Sequence, residues 1–256
     1  MSKLLEGKTA LILGIANKWS LAYAIAQAFS REGAKLALTY LGEHQKEAIE
    51  SLAEGLAVDC ILPCDVCKDD DLAKLSDALA GLGKPLDAVV HSLAFANRED
   101  LAGEFLDTGR SGFLMAQEVS AYSLVAVARA AAPLMSAGGS ITTLTYLGSI
   151  RVIPHYNVMG VAKAALEASV RYLASDLGPR NIRVNAISAG PVKTASARAI
   201  KDFSGVLETV SKRAPLRRNT DPAEVADAAV FLASSLGRGV TGNVLFVDSG
   251  LQIMGL

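Results

Sequence analysis

Short apolar runs alternate along the chain with longer stretches in which apolar residues return at helical spacing. Residues 8–13 form the first run and stop at Gly14; after a turn over 15–20, positions 21–32 carry a helical pattern. Further runs lie at 35–40, around 60–63, and at 87–92, 140–146, 182–187 and 244–248. Helical patterns at 69–82, 113–135, 156–163, 166–177 and 222–234 separate them. Strands written as apolar runs, without polar alternation, are covered on both faces. The pattern therefore predicts an α/β protein with a doubly wound parallel sheet of about seven strands and helices on both faces. In such a sheet, ligands bind beyond the carboxyl ends of the strands. Residues 97–110 read as a polar loop, and the pattern at 113–135 as one long helix, apolar almost all round and suited to a buried crossover or a subunit contact. No repeat, low-complexity tract or linker divides the chain, which reads as one domain over 1–256.

Composition narrows this picture. A chain of 256 residues, 51% hydrophobic and 20% charged, supports one large core and not two comfortable ones. Its formal net charge of -1 gives no global attraction to nucleic acid or to a membrane surface, which leaves small molecules as the expected partners. The first residues lack the apolar centre of a signal peptide, and the most apolar helical stretch is interrupted by Arg129, so no membrane insertion is expected. Cys60, Cys64 and Cys67 are not arranged as paired metal-binding motifs, and the three histidines are scattered. They read as reduced thiols in a cytosol-like compartment, with no metal.

The candidate chemistry lies at the predicted strand ends. Gly14, Ala16, Ser20 and Ala22 follow the first strand and are small enough to let backbone N–H groups approach a pyrophosphate at a helix N-terminus. Only the first glycine of the usual G-x-G-x-x-G pattern is present. After the second strand the chain reads Tyr40-Leu41-Gly42, with no arginine for an extra ribose phosphate, which favours NADH. Asp65-Val66 follows the third strand, placed to hydrogen-bond and cover an adenine ring, and the small apolar residues 93–96 follow the fourth as a wall beside the cofactor. His91 reads as a core or strand-end residue.

Tyr156 and Lys163 are seven positions apart, which on a helix means about 20° around the axis and roughly 10 Å along it, so both face one groove. A free phenol has a pKa of about 10, and a nearby ammonium favours its ionised form, making Tyr156 a candidate acid tuned by Lys163. Taken alone, the pair also fits a surface tyrosine and a solvated lysine.

With these residues in hand, the chain resembles the short-chain dehydrogenase/reductase superfamily, whose members have a Rossmann-type fold. Within it, the chain is similar to the NADH-dependent enoyl-acyl carrier protein reductases of bacterial and plastid fatty-acid synthesis. The resemblance spans essentially the whole chain. It rests on Gly14-x-Ala16-x-x-x-Ser20-x-Ala22, Asp65-Val66, His91-Ser92-x-Ala94-Phe95-Ala96, Tyr146-Leu147-Gly148, Tyr156-x6-Lys163 and Asn185-x-Ile187-Ser188-Ala189-Gly190-Pro191. Ordinary members of the superfamily space tyrosine and lysine four apart; here Met159 holds that tyrosine position. They also use an asparagine from the long fourth helix, and 113–135 contains none.

The wider spacing suits conjugate reduction. Hydride then enters the β-carbon of an enoyl thioester, and charge develops on an oxygen two bonds farther away, so the hydrogen-bonding tyrosine must move with it. The resemblance implies that Tyr156 stabilises the enolate, that Lys163 holds the nicotinamide ribose, and that Tyr146 is a second active-site tyrosine. It further implies that Gly14, Ser20, Leu21, Leu41, Asp65, Val66, Leu93, Lys163, Val192, Lys193, Thr194, Ala195 and Ser196 contact the dinucleotide. Ala96, Tyr146 and Tyr156 would touch substrate, beneath a flap over about 194–212. At Leu41, relatives often carry a polar residue. The implied partners are an enoyl thioester on an acidic acyl carrier protein, with Arg198, Lys201, Lys212, Arg213, Arg217 and Arg218 as a docking patch or as ordinary surface charge. A homotetramer in the cytoplasm, or in a compartment like a plastid stroma, is implied as well. The alternatives are a carbonyl reductase or alcohol dehydrogenase of the superfamily, and an inactive dinucleotide sensor.

Overall fold

Every side chain of β1 (Thr9–Leu13) is buried, and with the period of two of a strand Ala10 and Ile12 enter one layer of helices while Leu11 and Leu13 enter the other. The computed structural model describes residues 3–194 and 203–255. From β1 the chain adds β2 (Lys35–Tyr40) and β3 (Val58–Pro63) on one side. It then crosses back to add β4 (Ala88–His91), β5 (Gly139–Thr145), β6 (Ile182–Ala189) and β7 (Val244–Val247) on the other. The order is β3-β2-β1-β4-β5-β6-β7 and every neighbouring pair is parallel. This is the sheet that the apolar runs predict. The direction of growth reverses between β1 and β4, which opens a crevice at their carboxyl ends.

One face of the sheet is covered by α1 (Leu21–Arg31), α2 (Glu43–Ala53) and α9 (Pro222–Ala233), which supply Ile25, Phe29, Ile49, Val225 and Val230 to the core. The other face is covered by α3 (Asp69–Ala80), α6 (Ser123–Ala131) and α7 (Asn157–Leu177), which supply Leu72, Leu75, Leu124, Leu166 and Val170. Pro222 opens α9 at a position that needs no N–H, and Asp221 and Glu224 close a reciprocal capping box there.

Three expectations are corrected. The stretch 97–110 is not all loop: it holds α4 (Arg98–Ala102) and a 3-10 turn at Phe105–Asp107. The long helix at 113–135 is divided into α5 (Arg110–Gln117), a π turn at Glu118–Tyr122, and α6. Side chains stitch that turn in place, with the Ser123 hydroxyl donating to Val119 O at 2.7 Å and the Ser120 hydroxyl to Phe95 O at 3.1 Å. Within the span expected to form the flap, Phe203–Arg213 is the helix α8, and residues 195–202, including Ala195, Ser196, Arg198 and Lys201, lie outside the described residues.

The third correction concerns Tyr156. It is the cap of α7 and not part of its regular turns, with φ −104° and ψ −23°, between two residues of positive φ, His155 (61°) and Asn157 (33°). A tight turn, closed by Tyr156 N–H on Ile153 O at 3.1 Å, delivers the chain to the helix. The angle of 20° derived for an ideal helix therefore does not describe this pair, and the position of the ring is set by what packs on it.

Candidate functional site

Two cavities, of about 590 and 360 Å3, meet along Leu21, Ala94, Phe95, Leu144, Lys163 and Thr194 to form one trough across the strand ends. One half is lined by Gly14, Ser20, Leu41, Asp65, Val66 and Leu93, the other by Ala96, Tyr146, Tyr156 and Val192. The expected site residues thus come together, with one exception among those described. Lys193 borders a neighbouring cavity on the far side of its loop, beside Lys18 and Trp19.

The first half fits a dinucleotide on three counts. Gly14 has φ +98°, and a Cβ built there would stand 2.0 Å from Ser92 O, so the turn can pass against β4 only without a side chain. The 11-residue helix α1 starts at Leu21 with its N-terminus toward the trough, and Ser20 leaves that end uncapped because its hydroxyl donates to Asn17 O at 2.7 Å. Asp65 faces the same half, held by the Cys67 N–H at 3.1 Å and by Lys68 at 3.4 Å. The three thiols are free, and burial pushes that of Cys64 up to about 12, leaving it a small inert hydrophobe.

In the second half, Lys163 is buried and its ammonium donates to Leu144 O at 2.8 Å, at the end of β5. The rings of Tyr146 and Tyr156 meet edge to face, with centroids 5.0 Å apart. Two glycines make room for Tyr156: a Cβ at Gly148 would stand 2.4 Å from its Cδ1, and one at Gly160 would stand 2.8 Å from Gly148 O. Burial raises the Tyr156 phenol above its ordinary value of 10, with smaller contributions from Tyr146 and Glu167, and pushes Tyr146 up to about 12. Burial also pushes the Lys163 ammonium down, to about 8, against the opposing field of Glu167. The direction expected for Tyr156 is thereby reversed. Desolvation sets the direction, and Tyr156 is a neutral phenol and a hydrogen-bond donor.

Two residues that sequence reasoning passed over belong here. Glu167 is buried one turn beyond Lys163 and accepts from the Thr145 hydroxyl at 2.7 Å. Its signal in the sequence is a lone carboxylate following Leu166 on an otherwise apolar face. Ser120, in the π turn, accepts from Phe95 N–H at 2.9 Å, and its hydroxyl lies 3.7 Å from the Met159 sulfur.

His91 is buried at the end of β4, as expected, with Nδ1 2.9 Å from the Thr143 hydroxyl and Nε2 2.8 Å from that of Ser123. Burial, assisted by the charge of Lys163, pushes the imidazole down to about 3 from 6.5. Because the unfolded chain takes up this proton first, stability is lost as pH falls from about 6.5 toward about 3, by up to about 1.4 kcal/mol per pH unit. Thermal melting across that range should show a smaller acid loss in His91→Gln than in the wild type.

Residues 14–252 match the family model described as enoyl-(acyl carrier protein) reductase. The chain belongs to that family. Enoyl-[acyl-carrier-protein] reductase [NADH] FabI of Bacillus cereus is 52% identical over 255 residues, covering 99% of this chain and 100% of the relative. A crystal structure of the Bacillus cereus enoyl-acyl carrier protein reductase with NADP+ and indole naphthyridinone superimposes with a TM-score of 0.97 at 53% identity, covering 99% of this chain and 100% of that one. The corresponding reductase of Anaplasma phagocytophilum, in complex with NAD, has a TM-score of 0.95 at 47% identity, covering 100% and 96%. The seven-stranded fold of this reductase is therefore shared with solved members of the family. Among its described residues no helix is long and apolar enough to cross a membrane.

Proposed function

We propose that this chain reduces trans-2-enoyl thioesters with Tyr156 as the oxyanion donor, Lys163 as the anchor of the nicotinamide ribose, and Tyr146 as a wall that fixes the Tyr156 ring. Family membership makes it an enoyl-[acyl-carrier-protein] reductase, and the NADH-dependent Bacillus cereus relative supports NADH as its hydride donor. Bound NADH supplies the hydride that adds to the β-carbon of the thioester. As that bond forms, the double bond shifts and negative charge develops on the thioester oxygen, where the Tyr156 phenol donates its hydrogen bond. A proton added at the α-carbon completes the saturated product. The gain comes from a donor already aimed in a site of low polarity and from a fixed approach of the two reactants.

Met159 carries the choice of this reaction over carbonyl reduction. Four residues before Lys163, where a carbonyl reductase of the superfamily places its phenol, the structure has a buried thioether packed on Ser120. The remaining contacts divide along the trough: Gly14, Ser20, Leu21, Leu41, Asp65, Val66, Leu93 and Thr194 would lie toward the dinucleotide, with Val192 reaching it from the half where Ala96 lies toward the acyl group.

The carrier protein would approach across exposed Lys212, Arg213, Arg217 and Arg218, although Lys212 is ion-paired to Glu208 at 2.6 Å and Arg218 hydrogen-bonds Glu224 at 2.8 Å. Such exposed pairs exchange at little cost. Exposed Leu114, Tyr122, Val161 and Tyr172 on α5, the π turn and α7 support assembly into a homotetramer, and the free thiols a cytoplasmic setting. The test follows NADH and NADPH oxidation with a short trans-2-enoyl thioester and with a β-ketoacyl thioester, while light scattering counts subunits. Turnover of the enoyl substrate with NADH is expected; preferential turnover of the ketone would overturn the reading.

A further inference from the structure

We infer that Glu167, held by Thr145 one helical turn from Lys163, is a positioning residue that keeps Lys163 charged, and so extends to higher pH the range in which the reductase binds NADH. The inference rests on the role given to Lys163 above. Its basis is the way the end of β5 is joined to α7. Three consecutive residues of the strand end make three different contacts: Leu144 O accepts from the Lys163 ammonium, the Thr145 hydroxyl donates to the Glu167 carboxylate, and the Tyr146 ring meets Tyr156. Lys163 and Glu167 stand one turn apart, both buried, on the side of α7 that faces the sheet.

A carboxylate at this depth needs a reason to be there. Buried without compensation, its charge would be expensive, and one hydroxyl is modest recompense. The favourable counterpart is the ammonium one turn away. The two form no direct ion pair, since Lys163 is turned to Leu144 O, so the attraction acts through space in a region that water does not screen.

The other ionisable groups around the pair do not duplicate it. On β4, His91 is neutral, with both ring nitrogens engaged. Tyr146 and Tyr156 are neutral phenols. Beyond β7, Asp248 is occupied by the N–H groups of Gly250 and Gln252. Glu118 on the π turn and Arg171, one turn beyond Glu167, are exposed. Burial alone lowers the Lys163 proton affinity, and Glu167 is the group that raises it. Without that carboxylate the ammonium would lose its proton at lower pH, and its hold on the ribose hydroxyls would weaken from there upward.

Glu167→Gln keeps the size of the side chain and an oxygen for Thr145, and removes only the charge. The NADH dissociation constant, read by dihydronicotinamide fluorescence between about pH 6.5 and 9.5, should match the wild type at the acid end. Above about pH 8, where the Lys163 ammonium of the wild type begins to lose its proton, binding should be several-fold weaker than in the wild type. Thr145→Val should move the profile the same way by a smaller amount. Lys163→Met should bind weakly at all pH values. Parallel profiles for wild type and Glu167→Gln, or an equal loss at every pH with a lowered melting temperature, would overturn the inference. Wild-type binding by Lys163→Met would instead overturn the role of Lys163 itself, so the two failures are distinguishable.

Discussion

Tyr156→Phe should lower kcat for an enoyl thioester by about 100-fold while leaving the NADH dissociation constant within about twofold of the wild type. The change removes one oxygen and keeps the ring. The edge-to-face contact with Tyr146 and the fit over Gly148 and Gly160 are therefore preserved, and the trough keeps its shape. What is lost is the hydrogen bond to a thioester oxygen that is weakly negative in the substrate and fully charged in the enolate. Such a donor acts mainly on the transition state, so the loss falls on kcat. Because burial raises the Tyr156 phenol, no loss of activity from its ionisation is expected up to pH 10, and any basic limb below that belongs to Lys163, pushed down to about 8. Tyr146→Phe should cost less, because its ring packing survives. Single-turnover kinetics with saturating NADH would separate the terms, and an equal kcat for Tyr156→Phe and wild type would remove Tyr156 from the chemistry.

The reversal at Tyr156 shows where reading the chain stops. Strand existence and order of chemistry were legible, because parallel strands buried on both faces write themselves as apolar runs and each run ends where a ligand group is needed. Gly14, Asp65, Leu93, Tyr146 and Val192 all fall at such ends, and they reach the trough together with Lys163 from α7. Three things were not legible. Helical spacing located the Tyr156 ring only if the helix already included it, and the turn through His155 and Asn157 shows that it does not. Pairing with an ammonium indicated a lowered phenol pKa, but the sign depends on desolvation, which is a property of the packed site and not of spacing. The π turn at Glu118–Tyr122 leaves no mark in periodicity, because Ser120 and Ser123 create it through bonds to Phe95 and Val119 that exist only after folding. Glu167 had a visible signal, a carboxylate in an apolar stripe, but its partner Thr145 is brought to it by the sheet.

Gly14→Ala should abolish measurable NADH binding and lower the melting temperature, whereas Gly55→Ala, at a glycine of similar conformation, should do only a small part of this. Both glycines have positive φ, +98° and +82°, and a side chain in that region costs roughly 1–2 kcal/mol by itself. Their surroundings differ. A Cβ at Gly55 would meet nothing within 4 Å, so that backbone term is the whole effect. At Gly14 the same atom would stand 2.0 Å from Ser92 O and 2.7 Å from its carbonyl carbon, both main-chain atoms that cannot rotate away. Relief requires the β1–α1 turn to separate from the end of β4. Ser92 N–H donates to Leu13 O at 3.1 Å across that same junction, so the ladder must open with it. The displaced turn leads into Ser20 and Leu21, where the pyrophosphate half of the trough begins. Dinucleotide affinity should therefore fall with stability in Gly14→Ala and stay at the wild-type value in Gly55→Ala. Fluorescence titration with NADH and thermal melting of the three proteins test both halves, and wild-type affinity in Gly14→Ala would show that the dinucleotide does not rest on this turn.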